Sequence, residues 1–131
     1  MNRIAIVCSE FHRQKVEYML EVAMDTAAKF ELDVAEVIWV PGSMEVPLAL
    51  TRLLQREDIA GAATLGIIEK GETQHGQSIG QAVIQTIIDL QLVFNKPIGL
   101  GIIGPGAEPQ HTESRLEPHA RNAIKATHAM L

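Results

Sequence analysis

The stretch GAATLGII, residues 61–68, is small and apolar, and this composition predicts a central β-strand. Upstream of it, RIAIVC at residues 3–8 is short, apolar and rich in β-branched side chains, which favours a buried strand over a helix. Further strands are predicted at residues 33–40 and at residues 97–103, PIGLGII. We therefore interpret 61–68 as the middle of a sheet that the other three runs complete.

Helical periodicity separates these strands. Apolar residues recur at i, i+3 and i+4 over residues 12–30, and again from Ile79 to Leu90. Two more helices are predicted over residues 45–55, with Pro47 in the first turn, and over residues 110–130. The order β-α-β-α-β-α-β-α predicts an α/β, flavodoxin-like three-layer αβα sandwich with a four-stranded parallel sheet flanked by helices. Many unrelated functions use this scaffold.

Size, charge and cysteine content narrow the class of protein. A chain of 131 residues with 47% hydrophobic content predicts a single domain over residues 1–131. Eleven Lys and Arg against 16 Asp and Glu, without a basic run, argue against a nucleic-acid partner. No apolar run approaches the roughly 18 to 20 residues that span a bilayer, so no membrane association is expected. The lone Cys8 and a start without the order of a signal peptide predict a cytoplasmic protein.

The carboxyl ends of the predicted strands indicate where a ligand would bind, since open parallel sheets bind ligands at that edge. The loops at this edge are residues 9–12, 41–45, 68–75 and 104–109. Three of the four carry polar or chain-breaking residues. The first loop has no GxGxxG or Walker pattern, which argues against a nucleotide-phosphate site.

Several segments at these loops, taken together, resemble the lumazine synthase family. They are SEFH at 9–12, VPGSMEVPLA at 40–49, TLGIIEKGETQH at 64–75, and two that are similar to the archaeal branch, KPIGLGIIGPGAEP at 96–109 and ESRLEP at 113–118. They occur in the family's order and cover nearly the whole chain.

The resemblance implies a reaction and an assembly. The family condenses 5-amino-6-ribitylaminouracil with 3,4-dihydroxy-2-butanone 4-phosphate to 6,7-dimethyl-8-ribityllumazine, phosphate and water, with no metal and no cofactor. Its sites lie between neighbouring subunits, which implies a homopentamer. A larger particle such as a 60-subunit shell stays open, because residues 1–2 leave little of the N-terminal arm that adds a strand to a neighbour in some relatives.

The resemblance also assigns proton transfer and phosphate binding. His75 matches the family's proton-transfer histidine, and an imidazole titrates near neutral pH. Gly71, Glu72 and Thr73 precede the third helix, where free backbone N–H groups bind anions. Arg115 matches the phosphate-binding arginine of the adjacent subunit, whose planar fork can hold two oxygens. The structural alternatives are a surface histidine, a Thr73 N-cap and a solvated arginine.

The pyrimidine and its ribityl chain are assigned to a second group of residues. Phe11 matches the aromatic that stacks on the ring, with core packing as the alternative. The other matches are Ser43, Met44 and Glu45 for the ribityl chain and ring, Ile67 and Ile68 for backbone contacts, and Leu100 from the neighbour.

Four positions depart from the family pattern. Met44 and Leu100 stand where bacterial members commonly have Phe, which predicts weaker aromatic contact. His12 replaces the usual Asn after Phe11 and is interpreted as a tolerated polar residue at a helix start. At the position of a second basic phosphate contact the chain has Asn122, with Arg121 adjacent.

Three other functions fit the same fold. The related archaeal riboflavin synthase lacks the GET-x-His pattern, so His75 argues against it. A non-catalytic flavin-binding subunit and a non-catalytic shell subunit are the remaining alternatives. Retention of His75, Glu72, Thr73 and Arg115 argues against a subunit whose only role is assembly.

Overall fold

A computed structural model describes residues 1–69 and 75–131, and for His75 it describes the backbone only. Within these ranges the chain forms four strands and four long helices. In chain order they are β1 (Arg3–Ser9), α1 (Arg13–Lys29), β2 (Asp33–Val40), a 3-10 turn (Ser43–Glu45), α2 (Val46–Leu54), β3 (Gly61–Glu69), α3 (His75–Phe94), β4 (Ile98–Ala107) and α4 (Pro109–Ala129).

The four described strands form one parallel sheet in the order β2-β1-β3-β4. The predicted class, an α/β flavodoxin-like three-layer sandwich, is confirmed. GAATLGII lies in β3, which pairs with β1 on one side and with β4 on the other. The fold therefore places this segment in the middle of the sheet, as its composition predicted. Across the described residues, no helix combines the length and apolar character needed to cross a membrane.

Two apolar layers, one on each face of the sheet, hold the helices. In β1, Ile4, Ile6 and Cys8 pack with α1 and α4, whereas Ala5 and Val7 pack with α2 and α3. Successive side chains of a strand point to opposite faces, and all five of these residues are fully buried. Burial of an Ile side chain contributes roughly 1.5 to 3 kcal/mol. This two-sided burial is the reason that RIAIVC is continuously apolar.

The amino-terminal edge of the sheet is closed by charged side chains. The Arg3 guanidinium lies 3.3 Å from Asp33 and 2.8 Å from Asp58. Arg56 lies 2.9 Å from Asp58 and also contacts Glu36. The hydrogen bond from Arg56 is the main reason that the pKa of Asp58 is lowered. These charges lie at the edge opposite the carboxyl ends of the strands.

The predicted loop at residues 104–109 is wrong in its first part, because β4 continues to Ala107. Ile67 pairs with Ile103, and the next described pair joins Glu69 to Ala107, so β4 bulges over this interval. Gly104 and Gly106 have φ values of 102° and 86°, which glycine adopts without a Cβ clash. The bulge lets β4 turn locally and still rejoin β3.

Thr64 offers a test of the core. It is fully buried in β3, and its Oγ1 lacks a hydrogen-bond partner in the described part of the chain. A buried polar group without a partner destabilises the folded state, and valine has nearly the same shape. Thr64→Val is expected to raise the free energy of unfolding by about 1 kcal/mol, measured by urea denaturation.

Thr127 is the matched control for that substitution. It is equally buried, but its hydroxyl lies 2.8 Å from the Ala123 carbonyl and 3.0 Å from the Ala62 carbonyl. Thr127→Val is therefore expected to lower stability. A loss of stability of similar size in both variants would show that the Thr64 hydroxyl has a partner in solution.

Candidate active site

A pocket of about 530 Å³ lies at the carboxyl ends of β1, β2 and β3. This volume is within the range of small-molecule sites, which are mostly apolar with a few polar groups. Four parts of the chain form its wall: the β1–α1 turn, the segment between β2 and α2, the end of β3, and the first turns of α3. The lining residues are Phe11, Pro41, Gly42, Ser43, Met44, Glu45, Ile67, Ile68, Glu69, Gly76 and Ile79.

The segment between β2 and α2 supplies the polar side of the pocket. The Glu45 backbone N–H donates to the Gly42 carbonyl at 3.2 Å, which closes the 3-10 turn Ser43–Glu45. Pro47 lies at the start of α2, as predicted. This turn places a hydroxyl and a carboxylate beside the apolar side chain of Met44, which is 64% exposed.

Phe11 lies in the turn between β1 and α1 and is 50% exposed. The alternative interpretation of Phe11 as a core residue is therefore wrong. A half-exposed phenyl ring at the rim of an apolar pocket offers a surface on which a flat ring can stack.

Ile67 and Ile68 form the floor where β3 ends. Both side chains are buried, at 1% and 7% exposure, so only a small part of each faces the pocket. Together with Phe11, Ser43, Met44 and Glu45 they make six of the seven residues predicted for pyrimidine and ribityl binding. These six lie around one cavity, and their role in binding stays a prediction.

Leu100 and Arg115 do not line this pocket. Leu100 lies on β4, an edge strand of the sheet, and is 39% exposed. Arg115 lies on the exposed side of α4. Arg121, the candidate for a second phosphate contact, pairs with Glu117 of its own helix.

Most of the residues predicted for phosphate binding and proton transfer lie outside the described residues. These are Gly71, Glu72, Thr73 and the side chain of His75. The backbone of His75 begins α3, and the next residue, Gly76, lines the pocket.

Glu69 is a pocket residue that the sequence interpretation missed. It is the last residue of β3, and its carboxylate contacts the His12 ring. The centroid of that ring lies 4.2 Å from the centroid of Phe11. A signal was present in the sequence, because a carboxylate directly after an apolar central strand comes at the ligand-binding edge of a parallel sheet.

Cys8 lies near this edge but does not take part in its chemistry. Burial raises the pKa of its thiol to about 12. The nucleophilic form of cysteine is the thiolate, so Cys8 is a core residue at neutral pH.

These features define a flavodoxin-like α/β protein with a small-molecule site at the carboxyl edge of its sheet. The family model described as 6,7-dimethyl-8-ribityllumazine synthase matches residues 1–131, and the chain belongs to this family.

Three relatives that bear the same name come from archaea. The protein of Staphylothermus marinus is 39% identical over 131 residues, covering 100% of this chain and 87% of its own length. That of Metallosphaera sedula is 40% identical over 124 residues, 95% of this chain and 82% of its own. That of Saccharolobus solfataricus is 39% identical over 124 residues, 95% of this chain and 80% of its own. The predicted resemblance to the archaeal branch is confirmed.

Proposed function

We propose that this protein catalyses the lumazine synthase step of riboflavin biosynthesis, the condensation of 5-amino-6-ribitylaminouracil with 3,4-dihydroxy-2-butanone 4-phosphate. Family membership over the whole chain supports the reaction. The observation that carries the assignment to a site is the convergence of Phe11, the Ser43–Glu45 turn and the end of β3 on one pocket.

Each part of the pyrimidine substrate has a partner of suitable chemistry in this proposal. The flat ring stacks on Phe11, and backbone groups at Ile67 and Ile68 hydrogen-bond to its edge. Ser43 and Glu45 accept hydrogen bonds from the ribityl hydroxyls. The pocket thereby fixes the orientation of the amine that attacks the ketone.

The phosphate substrate binds at the start of α3 in this proposal. Gly71, Glu72 and Thr73 supply backbone N–H groups, and Arg115 of the adjacent subunit supplies a guanidinium. The amine adds to the ketone and one water leaves, phosphate is then eliminated, and the second amine closes the ring on the remaining carbonyl with loss of a second water. His75 accepts and returns protons during these steps.

The test is direct. Purified protein mixed with both substrates and no added cofactor is expected to form the fluorescent lumazine faster than the spontaneous reaction. A protein-free mixture of both substrates gives the rate of the spontaneous reaction, and a mixture lacking the phosphate substrate gives the fluorescence baseline. Product formation no faster than that in a protein-free mixture of both substrates would overturn the proposal and favour a non-catalytic shell or flavin-binding subunit.

We further propose that the protein is a homopentamer whose sites lie between subunits. Exposed apolar residues on α3 support association, since Leu92 and Val93 are 77% and 73% exposed. Ile88 and Leu92 also line a groove with Met130 near the end of α4. Light scattering is expected to give five times the 14.3 kDa chain mass, or a multiple for larger shells. A monomeric mass would exclude a shared site.

A cytoplasmic location completes the proposal. It is supported by the lone cysteine, which is buried and protonated and so needs no oxidising compartment. Cell fractionation with an antibody to the protein checks it.

His75→Ala is expected to slow turnover by roughly ten- to a hundredfold, at or below the usual range for a general acid-base residue. The effect is moderate because amine–ketone condensation proceeds unaided, and most acceleration comes from holding two substrates together, where effective molarities reach about 10⁵ M. Turnover at saturating substrates measures it, with His128→Ala at the far end of α4 as the control. Complete loss of activity in an assembled His75→Ala protein would show that proton transfer dominates.

A further inference from the structure

The turn that carries Phe11 is tied to two neighbouring strands. The Glu10 backbone N–H donates to the Val40 carbonyl at 2.9 Å, which joins the turn to the end of β2. On the other side, the His12 ring contacts the Glu69 carboxylate, which joins the turn to the end of β3. Phe11 lies between these two attachments.

The requirements of a helix start do not explain the backbone conformation of His12 or the position of its side chain. Its carbonyl accepts the first bonds of α1, from the backbone N–H groups of Lys15 and Val16 at 2.9 and 3.1 Å. An N-cap residue normally has extended backbone and a side chain that caps the helix. His12 has neither, with φ 57° and ψ 49° and no side-chain cap bond.

The backbone of His12 is unusual for its place in the chain. Glu31 and Asn95 are the other non-glycine residues with positive φ in the described ranges. Both follow the carboxyl end of a helix, where the left-handed conformation is a common cap. At a helix start this conformation has a cost without that benefit, so interactions of the side chain must support it.

Glu69 provides that interaction. Its side chain is 23% exposed and belongs to the wall of a mostly apolar pocket. A carboxylate in such surroundings needs a hydrogen-bond partner, and the His12 ring is in contact with its Oε1 atom. The same ring packs against Phe11, with an angle of 58° between the two planes.

We infer that His12 and Glu69 are positioning residues, which hold the Phe11 ring at the pocket rim and thereby set the affinity for the pyrimidine substrate. The inference rests on the proposed function. Phe11 is the only aromatic side chain among the described residues that line the pocket, so stacking in this chain depends on it. Loss of His12 or Glu69 releases the turn from β3 and lowers the affinity for the pyrimidine ring. Binding of the phosphate substrate is unaffected, because other residues form its site.

The experiment compares His12→Ala, Glu69→Ala and the double variant in the full assembled protein. The KM of each substrate and kcat are measured, and calorimetry gives the Kd of 5-amino-6-ribitylaminouracil alone. The pyrimidine KM and Kd are expected to rise roughly three- to tenfold, the range of one aromatic contact. The phosphate KM and kcat are expected to stay within about twofold. The double variant is expected to match the single variants, because residues that act through one contact are not additive.

Two further variants separate positioning from general stability. His12→Gln keeps an amide N–H that can reach Glu69 and is expected to recover most of the affinity. Glu17→Ala removes an exposed ion pair with Arg13 on the same helix, away from the pocket, and is expected to change neither KM. Should His12→Ala fail to fold, Glu69→Ala and His12→Gln decide the matter.

Any of three results would overturn the positioning role of His12 and Glu69. They are equal rises in the KM values of both substrates, a rise in the double variant equal to the combined rises of the single variants, or an unchanged pyrimidine Kd. If the wild-type protein binds the pyrimidine but forms no lumazine, the proposed function fails, and the Kd values still decide the role of His12 and Glu69. If the wild-type protein does not bind the pyrimidine, both proposals fail.

Discussion

Mixing Arg115→Ala subunits with His75→Ala subunits is expected to restore lumazine formation that each variant alone largely lacks. The expectation follows from where the two residues lie. His75 begins α3 beside the pocket of its own chain, whereas Arg115 on α4 does not line that pocket. If a site takes Arg115 from the adjacent subunit, mixed assemblies contain sites with both residues intact.

Arg115→Ala removes a guanidinium that is proposed to bind the phosphate through two charged hydrogen bonds. The KM of the phosphate substrate should therefore rise about 10²-fold or more. Arg115→Lys keeps the charge and loses the planar fork, so an intermediate KM is expected. After random reassembly of equal amounts, about a quarter of the interfaces combine an intact His75 with an intact Arg115. Activity at low phosphate-substrate concentration should therefore recover to about that fraction of wild type.

The matched control uses two variants from the same side of the site. Phe11→Ala and His75→Ala both alter the pocket of their own chain, so a mixture of these two should show no recovery. Equal recovery in both mixtures would show that the sites are not divided between subunits as proposed. If Arg115→Ala raised only the KM of the pyrimidine substrate, Arg115 would contact that substrate and not the phosphate substrate.

Gly99→Ala is expected to cause the largest loss of stability. A Cβ at Gly99 would lie 1.9 Å from the Ala123 carbonyl oxygen and 2.4 Å from the Thr127 hydroxyl. These atoms belong to α4, which packs against β4, and backbone cannot move aside as a flexible side chain can. Overpacking of this kind typically costs 1 to 3 kcal/mol, and here we expect about 3 kcal/mol or more. Thermal and urea unfolding of the assembled protein measure it.

Gly42→Ala is the control for that change. A Cβ there would meet the nearest atom at 3.4 Å, an ordinary contact, and φ of −158° is open to any residue. Its stability is therefore expected to stay within about 0.5 kcal/mol of wild type. A Gly99→Ala protein as stable as Gly42→Ala would mean that α4 packs farther from the sheet in solution.

The sequence alone determined the order of strands and helices and the edge of the sheet where the pocket lies. Residues 33–40 were predicted with the bounds of β2, and Pro47 was correctly placed in the first turn of α2. These features depend on periodicity and local backbone preference, which are properties of neighbours along the chain. The family could also be identified, because its segments occur in order at those loops.

Tertiary structure decided the features that depend on pairing between distant segments. GPGA, at residues 104–107, has the composition of a turn, yet it continues β4 because β3 offers it a partner strand. His12 and Glu69 are 57 residues apart, so neither helix-start preference nor strand composition indicates that they meet. Phe11 is half-exposed beside them because the turn is held between two strand ends. Local physics selected the elements, and contacts between elements selected which side chains face the pocket.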